Sequence, residues 1–110
     1  MAKDLLGELE HHVLLALLHQ GEEGYSVPIV LELEERTGRE VAQAAIYIAL
    51  RRLESKGLLT SALRVAPEEE GGRERRYFKL TAEGIARLRE ARDGFLNLWK
   101  GLEPVLEGKP

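Results

Sequence analysis

Residues 43–57 show an apolar pattern with the period of an α-helix. Ile46, Leu50 and Leu53 recur at intervals of four and three residues, which predicts one buried face. The opposite face has two arginines, a tyrosine, an amide and no acid: Gln43, Tyr47, Ile48, Arg51, Arg52 and Ser55. Such a face suits a groove of duplex DNA, because arginine and glutamine donate to phosphates and base edges. A solvated surface helix is the alternative interpretation.

Two further helices are predicted before this one. The first runs from Asp4 to about Gln20, with leucines and a valine at helical spacing. The second runs to Gly38, with Ser26 as its expected N-cap. Because the short connector of residues 39–42 joins the second helix to a third with a basic outer face, the pattern predicts a helix-turn-helix.

A β-hairpin is predicted next. Leu58–Val65 and Arg75–Leu80 alternate as strands, and the segment between them, Ala66–Gly72, contains proline, three glutamates and two glycines. A hairpin after a helix-turn-helix indicates a wing.

The arm of this hairpin contains three arginines: Arg73, Arg75 and Arg76. Arginines on a projecting hairpin can reach phosphates or the minor groove, although they also protect an exposed strand edge from pairing. The glutamates at the tip would repel phosphate, so the basic arm rather than the tip is expected to touch DNA.

A last helix is expected from its N-cap Thr81 to near Glu103. Its sparse apolar positions approach heptad spacing: Ile85, Leu88, Phe95, Trp99, Leu102 and Leu106. This seam predicts pairing with a second copy, or packing back on the first helix. The expected fold is therefore mainly α with a small β-hairpin wing, in which residues 1–80 form a winged helix-turn-helix and residues 81–110 a dimerisation helix and tail.

Composition agrees with a single domain of 110 residues with an aliphatic core, since 32% of residues are charged and 5% aromatic. The chain has no cysteine, which fits a reducing cytosol, and neither a membrane span nor a signal peptide is predicted. The net charge of −3 is unevenly distributed. Residues 3–35 contain one base and eight acids, whereas residues 36–64 contain six bases and two acids. The positive potential is thus concentrated on the segment that includes the third helix.

The sequence gives little support for a catalytic site or a metal-binding site. His12 and His19 share a helix face but lie two turns apart, too far to bind one ion. The chain has no glycine-rich segment with the spacing of a P-loop, and none of its serines lies in a motif typical of a catalytic nucleophile. We therefore expect neither an enzyme nor a cofactor.

The sequence resembles the PadR family of bacterial transcriptional regulators over nearly its whole length. The likeness rests on ELEHHVLLALL, the Gly24-Tyr25 pair, ELEERTG, AIYIALRRLESKGLL and GGRERRYFKLTAEG. The last two segments together are specific. The single C-terminal helix is similar to that of the short type of the family.

The resemblance implies a winged-helix homodimer that binds palindromic promoter DNA and that acts as a repressor, as most members of the family do. It implies DNA contacts from the third helix, from the start of the second and from the wing: Tyr47, Arg51, Arg52, Tyr25, Arg73, Arg75 and Arg76. The position of Gln43, Ala44 and Ile48 on the third helix adds these three residues to the expected DNA contacts. The apolar seam of the last helix supplies the expected dimer interface: Leu88, Phe95, Trp99 and Leu102.

The chain departs from the family pattern at Ala42, Ala44 and Ile48, where serine, glycine and proline are usual. Loss of the serine removes a helix cap of about 1 kcal/mol, and Ile48 could meet a thymine methyl group.

Some short-type relatives bind flat aromatic compounds through a tryptophan on the last helix, which makes Trp99 either a ligand contact or plain dimer core. A winged-helix module that binds proteins instead of DNA is the alternative function.

Overall fold

The computed structural model describes residues 6–108, which form five α-helices and one antiparallel pair of strands. The helices are α1 (Glu8–Leu18), α2 (Ser26–Thr37), α3 (Gln43–Ser55), α4 (Ala82–Trp99) and α5 (Glu103–Leu106), and the strands are β1 (Leu59–Val65) and β2 (Glu74–Leu80). This order confirms the predicted class, mainly α with a β-hairpin.

One aliphatic core joins the first three helices to the hairpin and to the first half of α4. Ile46, Leu50 and Leu53 of α3 are fully buried, as their spacing predicts. They pack with residues from the other elements: Val13, Leu14, Leu17, Ile29, Leu33, Leu58, Leu59, Phe78 and Leu88. Burial of one such side chain stabilises the fold by about 1.5–3 kcal/mol, so this cluster fixes α3 with its other face outward.

The first two helices begin at other residues than the sequence predicts: α1 begins later, and α2 begins one residue earlier. Gly7 is the N-cap of α1, and its N–H donates to the Glu10 carboxylate at 3.0 Å. Asp4, the expected start, lies outside the described residues. The N-cap of α2 is Tyr25, so the prediction that Ser26 caps this helix is wrong. The Gln20 side-chain amide binds both the N–H and the C=O of Tyr25, which holds that residue extended and makes Ser26 the first helical residue.

The hairpin follows the prediction within one residue at each strand. Its seven pairs run from Leu59↔Leu80 to Val65↔Glu74 without a bulge, and a single 3-10 turn, Glu68–Glu70, lies at its tip. Thr81 caps α4 as predicted, since its Oγ1 accepts the Gly84 N–H at 3.0 Å. The same hydroxyl donates to the carbonyl of Gly57 at 2.8 Å, which ties the start of α4 to the end of α3.

The last helix differs from its prediction in two respects. It ends at Trp99 instead of near Glu103, because Lys100 leaves the helical region and Gly101 turns at a φ of 85° before α5. Leu88 is 7% exposed and belongs to the core of its own chain, which corrects its assignment to an exposed seam. The first half of α4 therefore completes the core of this chain, and most of the exposed apolar surface of the helix lies in its second half.

Candidate functional site

The outer face of α3 is open to solvent. Six residues expected to meet DNA are exposed there: Gln43, Ala44, Tyr47, Ile48, Arg51 and Arg52. At about 100° per residue, Gln43 and Tyr47 lie at the edge nearest the wing and Ile48 and Arg52 at the edge nearest α1. The other two residues lie between these edges, so the helix presents a polar edge, a central strip and a mixed apolar and cationic edge.

An open groove of about 550 Å³ lies between the start of α2, the first half of α3 and the base of the wing. Six of the ten residues expected to bind DNA line it: Tyr25, Gln43, Tyr47, Arg73, Arg75 and Arg76. The Gln43 amide lies 3.4 Å from the Ser26 hydroxyl, to which it donates. Residues that are far apart in the sequence thus meet in one cavity that combines cationic, amide and phenolic groups.

Aromatic contacts hold the wing against this groove. The Tyr47 ring meets Phe78 edge-on, with ring centroids 6.1 Å apart, and Tyr25 meets Tyr77 in the same manner at 5.9 Å. The backbones of Gly24 and Phe78 also form two hydrogen bonds, of 3.0 and 2.7 Å. A Cβ atom at Gly24 would lie 2.5 Å from the Gln20 side chain, so alanine there would displace the amide that holds Tyr25 extended.

The three wing arginines have different surroundings. Arg73 is exposed just before β2. The Arg75 guanidinium lies 3.7 Å from the centre of the Tyr25 ring and donates to Glu70 at 2.8 Å. On the opposite face of the strand, Arg76 donates to the Ser61 hydroxyl at 2.9 Å, and Ser61 donates in turn to Glu54. The hydrogen bond to Glu70 raises the pKa of Arg75, and the tyrosines beside it act in the same direction, so this side chain keeps its charge.

A second groove, of about 540 Å³, separates α3 from the start of α1 and is lined by Ile48 and Arg52. Lys56 closes one side of it through an ion pair of 3.0 Å with Glu10. Burial alone would raise the pKa of Glu10, but the Gly7 N–H and Lys56 outweigh burial and lower that pKa below its usual 4.5. Arg51, on the central strip of α3, lies 3.5 Å from Glu54.

Three residues that the sequence pattern did not place among the DNA contacts support the site: Arg64, Tyr77 and Glu70. Arg64 lies 4.2 Å from the centre of the Tyr77 ring and forms an ion pair with Glu23. Arg64 is also opposite Arg75 in the hairpin register. This pairing becomes evident only from the register, because sequence spacing alone does not show which residues of two strands face each other.

A third, apolar groove of about 800 Å³ lies between α1 and α4, with Leu15, Leu18, Ile85 and Phe95 in its walls. Burial lowers the pKa of His11 in this groove, and the neighbouring His12 lowers it further. Phe95 is 59% exposed and meets Trp99 edge-on at 5.8 Å. Leu102 is also exposed, but it lies beyond the end of α4, at the N-cap of α5.

Residues 6–108 provide neither a membrane-spanning helix nor a metal-binding cluster. Among the helices of this range, none is long and apolar enough to cross a membrane. The same range contains no group of three or more histidine, aspartate or glutamate side chains placed to hold a metal ion.

Comparison with protein families matches residues 14–90 to the family described as the transcriptional regulator PadR-like family. A PadR family transcriptional regulator from Eggerthella lenta is 33% identical; the match covers 86% of this chain and 80% of that one, with a TM-score of 0.67. A PadR family transcription regulator from Clostridium difficile is 26% identical over 91% of this chain and 99% of that one, with a TM-score of 0.73.

The fold is also shared with F93 from STIV, a winged-helix DNA-binding protein that is 16% identical, with a TM-score of 0.65 and coverage of 83% of this chain and 90% of that one. A search of curated proteins gave no match.

Proposed function

The chain belongs to the PadR-like family of transcriptional regulators, and we propose that it is a repressor that binds a palindromic promoter site as a homodimer. The observation that carries this proposal is the groove between α3 and the wing, where arginines, an amide and two tyrosines from three elements converge. Arginine, glutamine and tyrosine are residue types that donate hydrogen bonds to phosphates and base edges. The exposed outer face of α3 extends the same surface, and the major groove of B-DNA admits an α-helix.

The homodimer is supported by the second half of α4. Phe95, Leu96 and Trp99 expose apolar surface there, whereas the first half of the helix packs on the core of its own chain through Leu88. In a twofold pair, two copies of α3 would enter successive major grooves, with half-sites about one helical turn apart or a multiple of it.

A flat aromatic effector is a further part of the proposal. Trp99 is the single tryptophan of the chain. Its ring contacts the ring of Phe95, and Phe95 lines the apolar groove between α1 and α4. Such a ligand would change the separation of the two α3 helices and so the fit to DNA. Quenching of Trp99 fluorescence by planar aromatic compounds would support this role, and unchanged emission across a varied panel would argue against it.

The direct test is selection of bound duplexes from a random pool, followed by titration of the selected DNA at rising salt. We expect an inverted repeat and an affinity that falls steeply with salt, because binding to phosphates releases counterions. Arg51→Ala and Arg52→Ala should each weaken binding by about 1–3 kcal/mol if the side chain reads a base. Arg36→Ala removes the same charge from α2, outside both α3 grooves, and should have little effect.

A dimer without preference for any duplex, even at low salt, would contradict DNA binding. That result would favour the other candidate, a winged-helix module that binds proteins. The acidic turn Glu68–Glu70 at the wing tip is the feature that favours it.

A further inference from the structure

The side chain of Arg75 is enclosed on two sides in the groove beside α3. One face of its guanidinium lies 3.7 Å from the centre of the Tyr25 ring. The Nη1 atom donates to Glu70 at 2.8 Å and to the Tyr77 hydroxyl at 3.3 Å. Only 19% of the side chain is exposed. The planar face of Arg75 and part of its hydrogen-bond donors are therefore already in contact with groups of its own chain.

These contacts belong to a stack in which cations and rings alternate. Tyr77 meets Tyr25 edge-on, and Arg64, across the hairpin from Arg75, covers the Tyr77 ring at 4.2 Å. Arg64 is itself paired with Glu23, in the turn that precedes α2. The stack thus connects the wing to that turn through side chains, next to the two backbone hydrogen bonds between Gly24 and Phe78.

We infer that Arg75 is a positioning residue, which sets the wing against the start of α2, and that Arg73 makes the phosphate contact on this arm. This inference rests on the proposed DNA binding. A phosphate would have to draw the Arg75 guanidinium away from an aromatic face and a carboxylate, each of which stabilises it where it lies. Arg73 is exposed at the rim of the same groove and meets a phosphate without such a loss.

The salt dependence of DNA binding separates the two roles. Removal of a phosphate contact from B-DNA lowers the slope of log K against log salt by about 0.9. Because the proposed homodimer has the substitution in both subunits, Arg73→Gln should lower the magnitude of the slope by about 1.8. Arg75→Gln should weaken binding by about three- to thirtyfold, from the lost cation–π contact, and leave the slope unchanged.

Arg75→Lys provides the matched control. Lysine binds phosphate well as a point charge but lacks the planar fork that stacks on Tyr25 and pairs with Glu70. We expect this variant to bind DNA as weakly as Arg75→Gln. If instead it restores the affinity, and Arg75→Gln lowers the salt slope, Arg75 is a phosphate ligand and the inference fails.

A second measurement needs no DNA. The amide protons of Gly24 and Phe78 report the junction of wing and α2, because each donates to the carbonyl of the other residue. Their hydrogen exchange should accelerate in Arg75→Gln and stay unchanged in Arg73→Gln. Equal exchange in both variants would overturn the positioning role. Because this measurement uses no DNA, it tests the role of Arg75 even if the native chain binds no duplex and the proposed function is refuted.

Discussion

Tyr47 of α3 and Phe78 of β2 meet edge-on, with ring centroids 6.1 Å apart and planes inclined by 79°. Phe78 is buried in the core, whereas Tyr47 lies on the exposed face expected to contact DNA. This pair therefore couples the orientation of the outer face of α3 to the position of the wing.

Tyr47→Leu should lower the free energy of unfolding by about 1 kcal/mol, because the edge-to-face contact is lost. Tyr47→Phe retains the ring and should leave stability unchanged. Urea denaturation of both variants checks this prediction. Equal destabilisation by the two substitutions would mean that the hydroxyl group, rather than the ring, holds the contact.

Ile48 is 54% exposed on the face of α3 that we propose enters the DNA groove. An apolar side chain there is expected to contact the C5-methyl group of thymine. Replacing the contacted thymine by uracil should weaken binding about fourfold, the value of one buried methyl group. The loss should disappear in Ile48→Ala and persist in Ser55→Ala. Uracil-containing duplexes bound as tightly as the thymine form at every position would refute the contact.

Phe95→Ser should convert the proposed dimer to a monomer at micromolar concentrations, because it removes the more exposed of the two aromatic side chains in the second half of α4. Leu31→Ser is a suitable control, since Leu31 is equally exposed, at 60% against 59%, but lies on α2. Sedimentation velocity distinguishes the two. An unchanged dimer in Phe95→Ser would remove α4 from the interface.

Two glycines of α4 should respond oppositely to the same substitution. A Cβ atom at Gly84 would lie 2.3 Å from the carbonyl oxygen of Leu58, so Gly84→Ala must displace α4 and lower the melting temperature. The corresponding atom at Gly94 would meet nothing within 4 Å, and alanine there should add about 0.5–1 kcal/mol through its higher helix propensity. Thermal unfolding followed by circular dichroism checks both, and a stabilised Gly84→Ala would contradict the packing described above.

The pKa of Glu10 is lowered in the folded chain, since the Gly7 N–H and Lys56 outweigh the effect of burial. The contribution of Glu10 to stability should therefore be complete above its usual pKa of 4.5 and disappear as the pH falls through the lowered value. Glu10→Gln should reduce the loss of stability on acidification, whereas Glu69→Gln, at the exposed wing tip, should not. Denaturation midpoints measured at a series of pH values test this difference.

The sequence predicted most elements because their apolar periodicity and their end signals agree. The buried stripe of Ile46, Leu50 and Leu53 and the cap at Thr81 are local features, and both are confirmed. Ser26 was expected to be a cap, but a long-range contact decided otherwise: the Gln20 amide holds Tyr25 extended. The end of α4 was placed too late because Lys100 and Gly101 leave the helix before Pro104.

The candidate site was predicted as a set of residues but not as an arrangement. The three wing arginines appear equivalent in the sequence, yet strand alternation places Arg75 and Arg76 on opposite faces of β2. The enclosure of Arg75 depends on Tyr25, fifty positions earlier, and no local pattern connects the two. Leu88 likewise has the spacing of an exposed seam, and only the packing of α4 on the hairpin shows that it is buried.

The unbroken pairing of β1 with β2 makes the length of the hairpin as important as its composition. One residue inserted between Arg76 and Tyr77, with Phe78 still anchored in the core, would exchange the faces of both arginines. Arg76 would then turn toward Tyr25, and Arg75 toward Ser61. A two-residue insertion would restore the original orientation, so tolerance to insertions in this arm should alternate between odd and even lengths.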